Sequence, residues 1–189
     1  MLLLVLFRQI SLRPKFLKLT IMKKILFALA IVAVSFAANA QKSSAAKESE
    51  FVFGGGLRVG LPVGDVHNAY SFVIGAELQG EYMFSPQVSG TLTAGYEEWL
   101  GKTIAGFKIP STGFIPVLAG VRVYPSPDFF IGGKAGVTFS TESGGGSSFT
   151  YEPQVGYNTS KFQLALGYQA FTNGGTTAHL GLTGIYKFH

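Results

Sequence analysis

Two consecutive arms between Phe72 and Tyr96 switch between apolar and polar residues at nearly every step. In the first arm Phe72, Ile74, Ala76, Leu78, Gly80, Tyr82 and Phe84 hold the even positions, with Glu77, Gln79 and Glu81 between them. Successive side chains of a strand point to opposite faces, so this spacing predicts a strand with one apolar and one polar face. Ser85-Pro86-Gln87 turns the chain, and Val88, Leu92, Ala94 and Tyr96 then oppose Ser89, Thr91, Thr93 and Glu97. Aromatic residues close the ends of the apolar face, and carboxylates occupy the middle of the polar one.

The same pattern recurs to the end of the chain. It predicts a strand over 51–61, with Phe51, Phe53, Leu57, Val59 and Leu61 opposing Gly54, Gly56, Arg58 and Gly60. A strand over 114–124 opposes Ile115, Val117, Ala119, Val121 and Val123 to Gly120 and Arg122. One over 129–141 opposes Ile131, Ala135, Val137 and Phe139 to Gly132, Lys134, Gly136, Thr138 and Ser140. The strands over 148–157, 162–171 and 178–188 place Glu152, Gln163, Gln169, His179 and Lys187 on their polar faces. Pro153 lies inside the first of these three, where a lost ladder hydrogen bond predicts a bulge. The total is eight strands in four hairpins, an all-β, antiparallel up-and-down arrangement. Short turns (85–87, 125–128, 158–161) alternate with longer connections (62–71, 98–113, 142–147, 172–177), as in outer-membrane barrels with short periplasmic turns and longer external loops.

Alternation alone does not say which face looks outward, since a lipocalin-like barrel is apolar inside. Here the polar face is too rich in glycine and too poor in charge for a water-facing surface. Charged residues are 13% of the chain, about half the share of a soluble domain. Aromatics also gather where strands end. Phe51, Phe53, Tyr82, Phe84, Phe129, Tyr157, Phe162, Tyr186 and Phe188 would mark one rim, and Phe72, Tyr96, Phe139, Phe149, Tyr151 and Tyr168 the other. Two such belts are expected at bilayer interfaces.

The N-terminal region reads as processing rather than fold. Met22-Lys23-Lys24, an apolar run from Ile25 to Phe36 and Ala38-Asn39-Ala40 form a signal peptide over 22–40, with cleavage expected before Gln41. Residues 1–21 then read as a start-site extension and 41–50 as a polar flexible leader. Six of the fifteen Lys and Arg (Arg8, Arg13, Lys15, Lys18, Lys23, Lys24) precede Gln41, and none of the ten Asp and Glu does. The mature chain therefore carries nine cations against ten acids, and the basic balance supports no nucleic-acid partner. With no cysteine, neither a disulfide nor a thiolate metal site is available.

A signal peptide, eight alternating strands and a final strand closing on Phe188 resemble the small outer-membrane β-barrels of the OmpA/OmpX type. The resemblance spans the mature chain from Phe51. It implies an eight-stranded transmembrane β-barrel in the outer membrane, with both termini in the periplasm, lipid as its surroundings and a monomeric state. It also implies that Leu180, Leu182, Tyr186 and Phe188 form the C-terminal signal read by the barrel-assembly machinery.

The polar face collects Arg58, Arg122, Lys134 and Lys187 with Glu77, Glu81, Glu97 and Glu152. An eight-stranded barrel is just wide enough for its own side chains, and buried charges must be paired. The reading is an ion-pair network plugging the lumen, giving a structural or membrane-integrity role; a narrow channel for small solutes is the alternative. Some barrels of this compartment modify lipid A, and Asp65, His67 and Ser71 are the nearest candidates here. Proximity in one loop is not triad geometry, so no enzyme activity is expected. His67, His179 and His189 lack metal-ligand spacing, and no cofactor is expected. The connection 98–113 carries Trp99, Leu100, Ile104, Phe107 and Ile109. It could be an adhesion surface; the simpler expectation is that it folds over the barrel mouth or lies in the outer leaflet.

Overall fold

A computed structural model describes residues 51–188. The start-site extension, signal peptide and leader expected over 1–50 lie outside the described residues, as does His189. Eight long strands account for the described chain: β1 (Phe51–Val63), β2 (Tyr70–Ser85), β3 (Val88–Gly101), β4 (Thr112–Ser126), β5 (Phe129–Ser140), β6 (Ser147–Asn158), β7 (Phe162–Thr172) and β8 (Thr176–Phe188). Each pairs antiparallel with its sequence neighbours, and β1 pairs with β8 from Phe53↔Phe188 to Val63↔Ala178, which closes the sheet into a barrel. Closure leaves the eight-stranded sheet without a free edge, the most direct answer to unpaired edge groups.

The burial pattern follows the alternation. Leu57, Leu61, Leu78, Leu92, Val121, Ile131, Leu164 and Leu182 are exposed on the outside, while Arg58, Gln79, Glu81, Arg122, Lys134, Glu152 and Gln169 are buried within. A soluble barrel has the opposite polarity. The two expected aromatic belts also sit on the outward face, one at each end of the strands. In the short-turn belt, Phe188 lies 6.0 Å from both Phe53 and Tyr186, and Tyr186 lies 5.1 Å from Phe162.

Three sequence expectations need correction. The 98–113 stretch is largely ordered: Glu98 to Gly101 continue β3 against β2, and Thr112–Gly113 begin β4. Between them a small hairpin, Thr103–Ile104 against Phe107–Lys108, turns through Ala105 (φ 50°) and Gly106 (φ 84°). The 62–71 connection shrinks to a 3-10 turn, Gly64–Asn68, because β1 and β2 extend toward it from both sides. Pro153 produces no bulge. It pairs with Gly133 in an unbroken β5–β6 register, and the ladder to β7 keeps one register across a gap between Tyr151↔Ala170 and Gln154↔Gly167. The proline points outward and its absent N–H simply leaves a rung unmade. Register shifts occur instead at Tyr70/Phe72, Met83/Ser85 and Val123/Ser126, all near strand ends.

Candidate functional site: the barrel lumen

The interior is stacked in layers. At the long-loop end an aromatic layer centres on Trp99, which is fully buried with Val73 and Phe171 and is flanked by Val66, Tyr70 and Phe114. Trp99 meets Tyr70 edge to face at 5.8 Å, Phe171 at 5.6 Å and His179 edge to face at 5.3 Å. His179 is wholly buried, and a side chain on either Gly60 or Gly181 would run into its ring. Neither imidazole nitrogen has a hydrogen-bond partner, so its polar contact is with the aromatic ring system of this layer.

Beneath lies the larger charge cluster. Arg58 Nη2 contacts Glu77 Oε2 at 2.8 Å and Glu152 Oε1 at 3.1 Å, while Nη1 lies 3.4 Å from Glu97 Oε1. Nη1 also donates to Gln169 Oε1. Lys134 Nζ sits 3.2 Å from Glu152 Oε2 and 3.7 Å from Glu77 Oε1, and Gln169 Nε2 donates to Glu97 Oε2 at 3.3 Å. The guanidinium thus serves as a hub for three carboxylates brought from β2, β3 and β6, a role its planar fork of donors suits.

The second cluster lies nearer the short turns. Arg122 Nη1 pairs with Glu81 Oε2 at 3.1 Å and donates to Gln163 Oε1 at 3.0 Å, while Nη2 donates to Gln79 Oε1 at 2.7 Å. Glu81 Oε1 accepts hydrogen bonds from Ser89 Oγ at 2.6 Å and from the Tyr124 hydroxyl at 2.5 Å; Oε2 accepts from Gln163 Nε2 at 2.6 Å. The Arg122 guanidinium lies 4.3 Å from the centre of the Phe130 ring, a cation–π contact. Phe130, Tyr124 and Ala165, with Met83 against them, form the second apolar layer.

Glycines make room for these long side chains. Gly75 is the cross-strand partner of Glu97 and Gly95 that of Glu77. Gly120 likewise faces Lys134, and Gly132 faces Arg122. A Cβ at Gly120 would meet Lys134 Cγ at 2.7 Å, and one at Gly132 would meet Arg122 Cγ at 2.9 Å. Each charged side chain therefore leans across a neighbouring strand that offers no side chain of its own.

Seven of the eight charged residues singled out in the sequence fall into these two clusters. Lys187 lies elsewhere, at the short-turn rim, where its ammonium donates to Asn158 Oδ1 at 2.6 Å and to the Thr159 carbonyl at 2.8 Å. Alternation puts Gln79, Gln163 and Gln169 on the polar face but does not reveal that they complete both clusters, nor does it reveal Tyr124, Phe130, Phe171 or the inward direction of Trp99. Leu180, Leu182, Tyr186 and Phe188 all lie on the outward face of β8. Ser71 Oγ donates to the Leu100 carbonyl, and the described residues contain no cluster of metal-ligating side chains.

No helix among the described residues is long and apolar enough to cross a membrane, so any crossing is made by strands. No family model and no curated protein matches the chain. Among solved structures, Ail, the attachment invasion locus protein of Yersinia pestis, aligns over 75% of this chain and 99% of its own. Its complex with the heparin analogue sucrose octasulfate gives a TM-score of 0.53 at 15% identity, and its structure without that analogue 0.52 at 16%. A de novo designed transmembrane β-barrel aligns over 72% of this chain and 95% of its own, with a TM-score of 0.48 at 18% identity. The fold is that of a small transmembrane β-barrel. Residues facing out of the barrel are those a hydrocarbon layer accepts, and the charges within it are screened from lipid by the backbone cylinder. At this level of identity the likeness to Ail concerns the fold alone.

Proposed function

We propose that this chain is an outer-membrane barrel whose lumen is closed by its own side chains and whose role is structural, in the integrity of the membrane. The observation that carries the reading is the filling of the lumen. Two charge clusters lie between two aromatic layers, and the ion-paired side chains of those clusters are at most 8% exposed. A conducting pore needs a continuous wet path, and eight strands enclose little more than their own side chains. The short turns belong to the periplasmic side and the longer connections to the outside, so both ends of the barrel domain are periplasmic. Export through the signal peptide, recognition of β8 by the barrel-assembly machinery and a monomer in lipid complete the proposal. The chain is proposed to be non-catalytic. Heparin-like ligands are not extended to it from Ail: its outer connections carry Lys102 and Lys108 against Asp65, Glu98 and Glu142.

Planar-bilayer recording tests the reading. The expected trace shows no steady conductance. A steady conductance that changes on Glu77→Gln or Arg122→Gln would replace it with a narrow channel. One observation favours that second reading: both amide atoms of Gln154 and the Thr91 hydroxyl are buried in the barrel without a hydrogen-bond partner.

A further inference from the structure

The hairpin between β3 and β4 has no role in closing the lumen. Its turn residues Ala105 and Gly106 both have positive φ, the primed turn geometry that matches strand twist. Its base is tied down on both sides. Lys102 N donates to the Ala69 carbonyl at 2.9 Å, Ile109 N to the Lys102 carbonyl at 2.8 Å, and Lys102 Nζ to the His67 carbonyl at 2.5 Å. At the tip, the cross-strand partners Ile104 and Phe107 are exposed, Phe107 by 80%, the most of any large hydrophobic residue described.

Charge and reach indicate what the tip meets. The hairpin over 102–109 carries Lys102 and Lys108 and no acid, with Glu98 of the same connection lying below it in β3, whereas the other outer connections carry Asp65 and Glu142 and no Lys or Arg. Phe72, the uppermost residue of the outer aromatic belt, pairs with Leu100, and Ile104 is four residues further on. With a strand rise of ~3.3 Å and a tilt of ~40°, the tip stands about 10 Å above that belt. The headgroup layer of a phospholipid bilayer is only about 6 Å thick, so the tip clears the leaflet in which the barrel sits. A paired isoleucine and phenylalanine beside the exposed Lys108 suit an anionic lipid interface, the apolar pair entering it and the ammonium meeting its phosphates.

We propose that this hairpin is a docking element for an apposed anionic lipid surface, with Ile104 and Phe107 entering the interface and Lys108 facing its phosphates. Many copies on one membrane would add weak single contacts into firm attachment.

The test uses the full barrel refolded in phosphatidylcholine vesicles and mixed with labelled vesicles containing phosphatidylglycerol. Association is expected with the anionic vesicles and falls as salt is raised. Phe107→Ser should weaken it at least about tenfold and Lys108→Gln about fivefold, with the heat-dependent gel shift of the folded barrel unchanged. Phe107→Trp should be quenched by brominated lipid in the added vesicles. Quenching only by brominated lipid in the host bilayer would overturn the proposal in favour of a tip buried in its own leaflet. Absence of association with any vesicle, or association indifferent to both substitutions, would also overturn it and leave the tip to a protein partner or to solvent.

Discussion

Replacing Arg58 by leucine separates a sealed lumen from a wet one by energy. In the structure Arg58 contacts Glu77, Glu97 and Glu152, and all four side chains are almost fully buried. Arg58→Leu would leave three carboxylates facing the single ammonium of Lys134, with Glu97 retaining only the amide of Gln169 as a neighbouring donor. Removing one partner of a buried ion pair costs about 3–5 kcal/mol, because the other charge stays buried and unpaired. The same pair in a water-filled channel would contribute only about 0–1 kcal/mol. The assay is urea unfolding in lipid vesicles, followed by the gel shift on boiling and by Trp99 fluorescence. Trp99 is the chain's only tryptophan and lies in the lumen, so its emission reports the interior directly. The expected loss is 3 kcal/mol or more, roughly in line with the cost of a stranded buried charge, and adding Glu97→Gln should recover a large share of it. A loss below about 1 kcal/mol would refute the argument, because it would mean that water already solvates these carboxylates.

Other substitutions probe the remaining layers. Leu182→Arg, on the outward face at the middle of β8, should cost about 2–4 kcal/mol in the same titration, against near zero if that face met water. Tyr124→Phe removes one of the hydrogen bonds to Glu81 and should cost about 1.5–3 kcal/mol with little change of fold by circular dichroism. Gly95→Val places a Cβ 2.6 Å from the Ala76 carbonyl oxygen and 3.0 Å from Glu77 Cβ, and should lower stability by about 1–3 kcal/mol or prevent refolding altogether.

The eight strands were legible because lipid outside and charge inside give a strict two-residue period through the middle of the barrel. That signal fails at the barrel ends, where the interior is closed by aromatic layers and both faces become apolar. Phe129-Phe130-Ile131 shows the failure: Phe130 points inward, yet nothing in the run distinguishes it from its neighbours. Trp99 is not recognisable as a strand residue for the same reason, since Trp99-Leu100 carries no alternation although the strand continues. The charged members of the lumen were visible as residue types. Which cation serves which acid depends on the register between distant strands, and Lys187 ends at the rim because β8 places it close to the turn after β6. Pro153 carries no bulge because an outward-facing proline can leave a rung unmade without kinking its strand.

The pairing of glycines with charged residues has a consequence for assembly. A strand sliding by two positions keeps lipid-facing residues outside, so the apolar exterior cannot tell the native alignment from its nearest competitor. The interior can. Moving β2 against β3 so that Glu77 faces Glu97, instead of each facing its glycine, would oppose two carboxylates. The corresponding slide of β4 against β5 would bring Arg122 opposite Lys134. Like charges directly across a ladder repel, and two long side chains would compete for space that holds one. In both hairpins the vacant position beside each charge thus acts as a proofreader, rejecting a misaligned barrel that the surrounding membrane would accept.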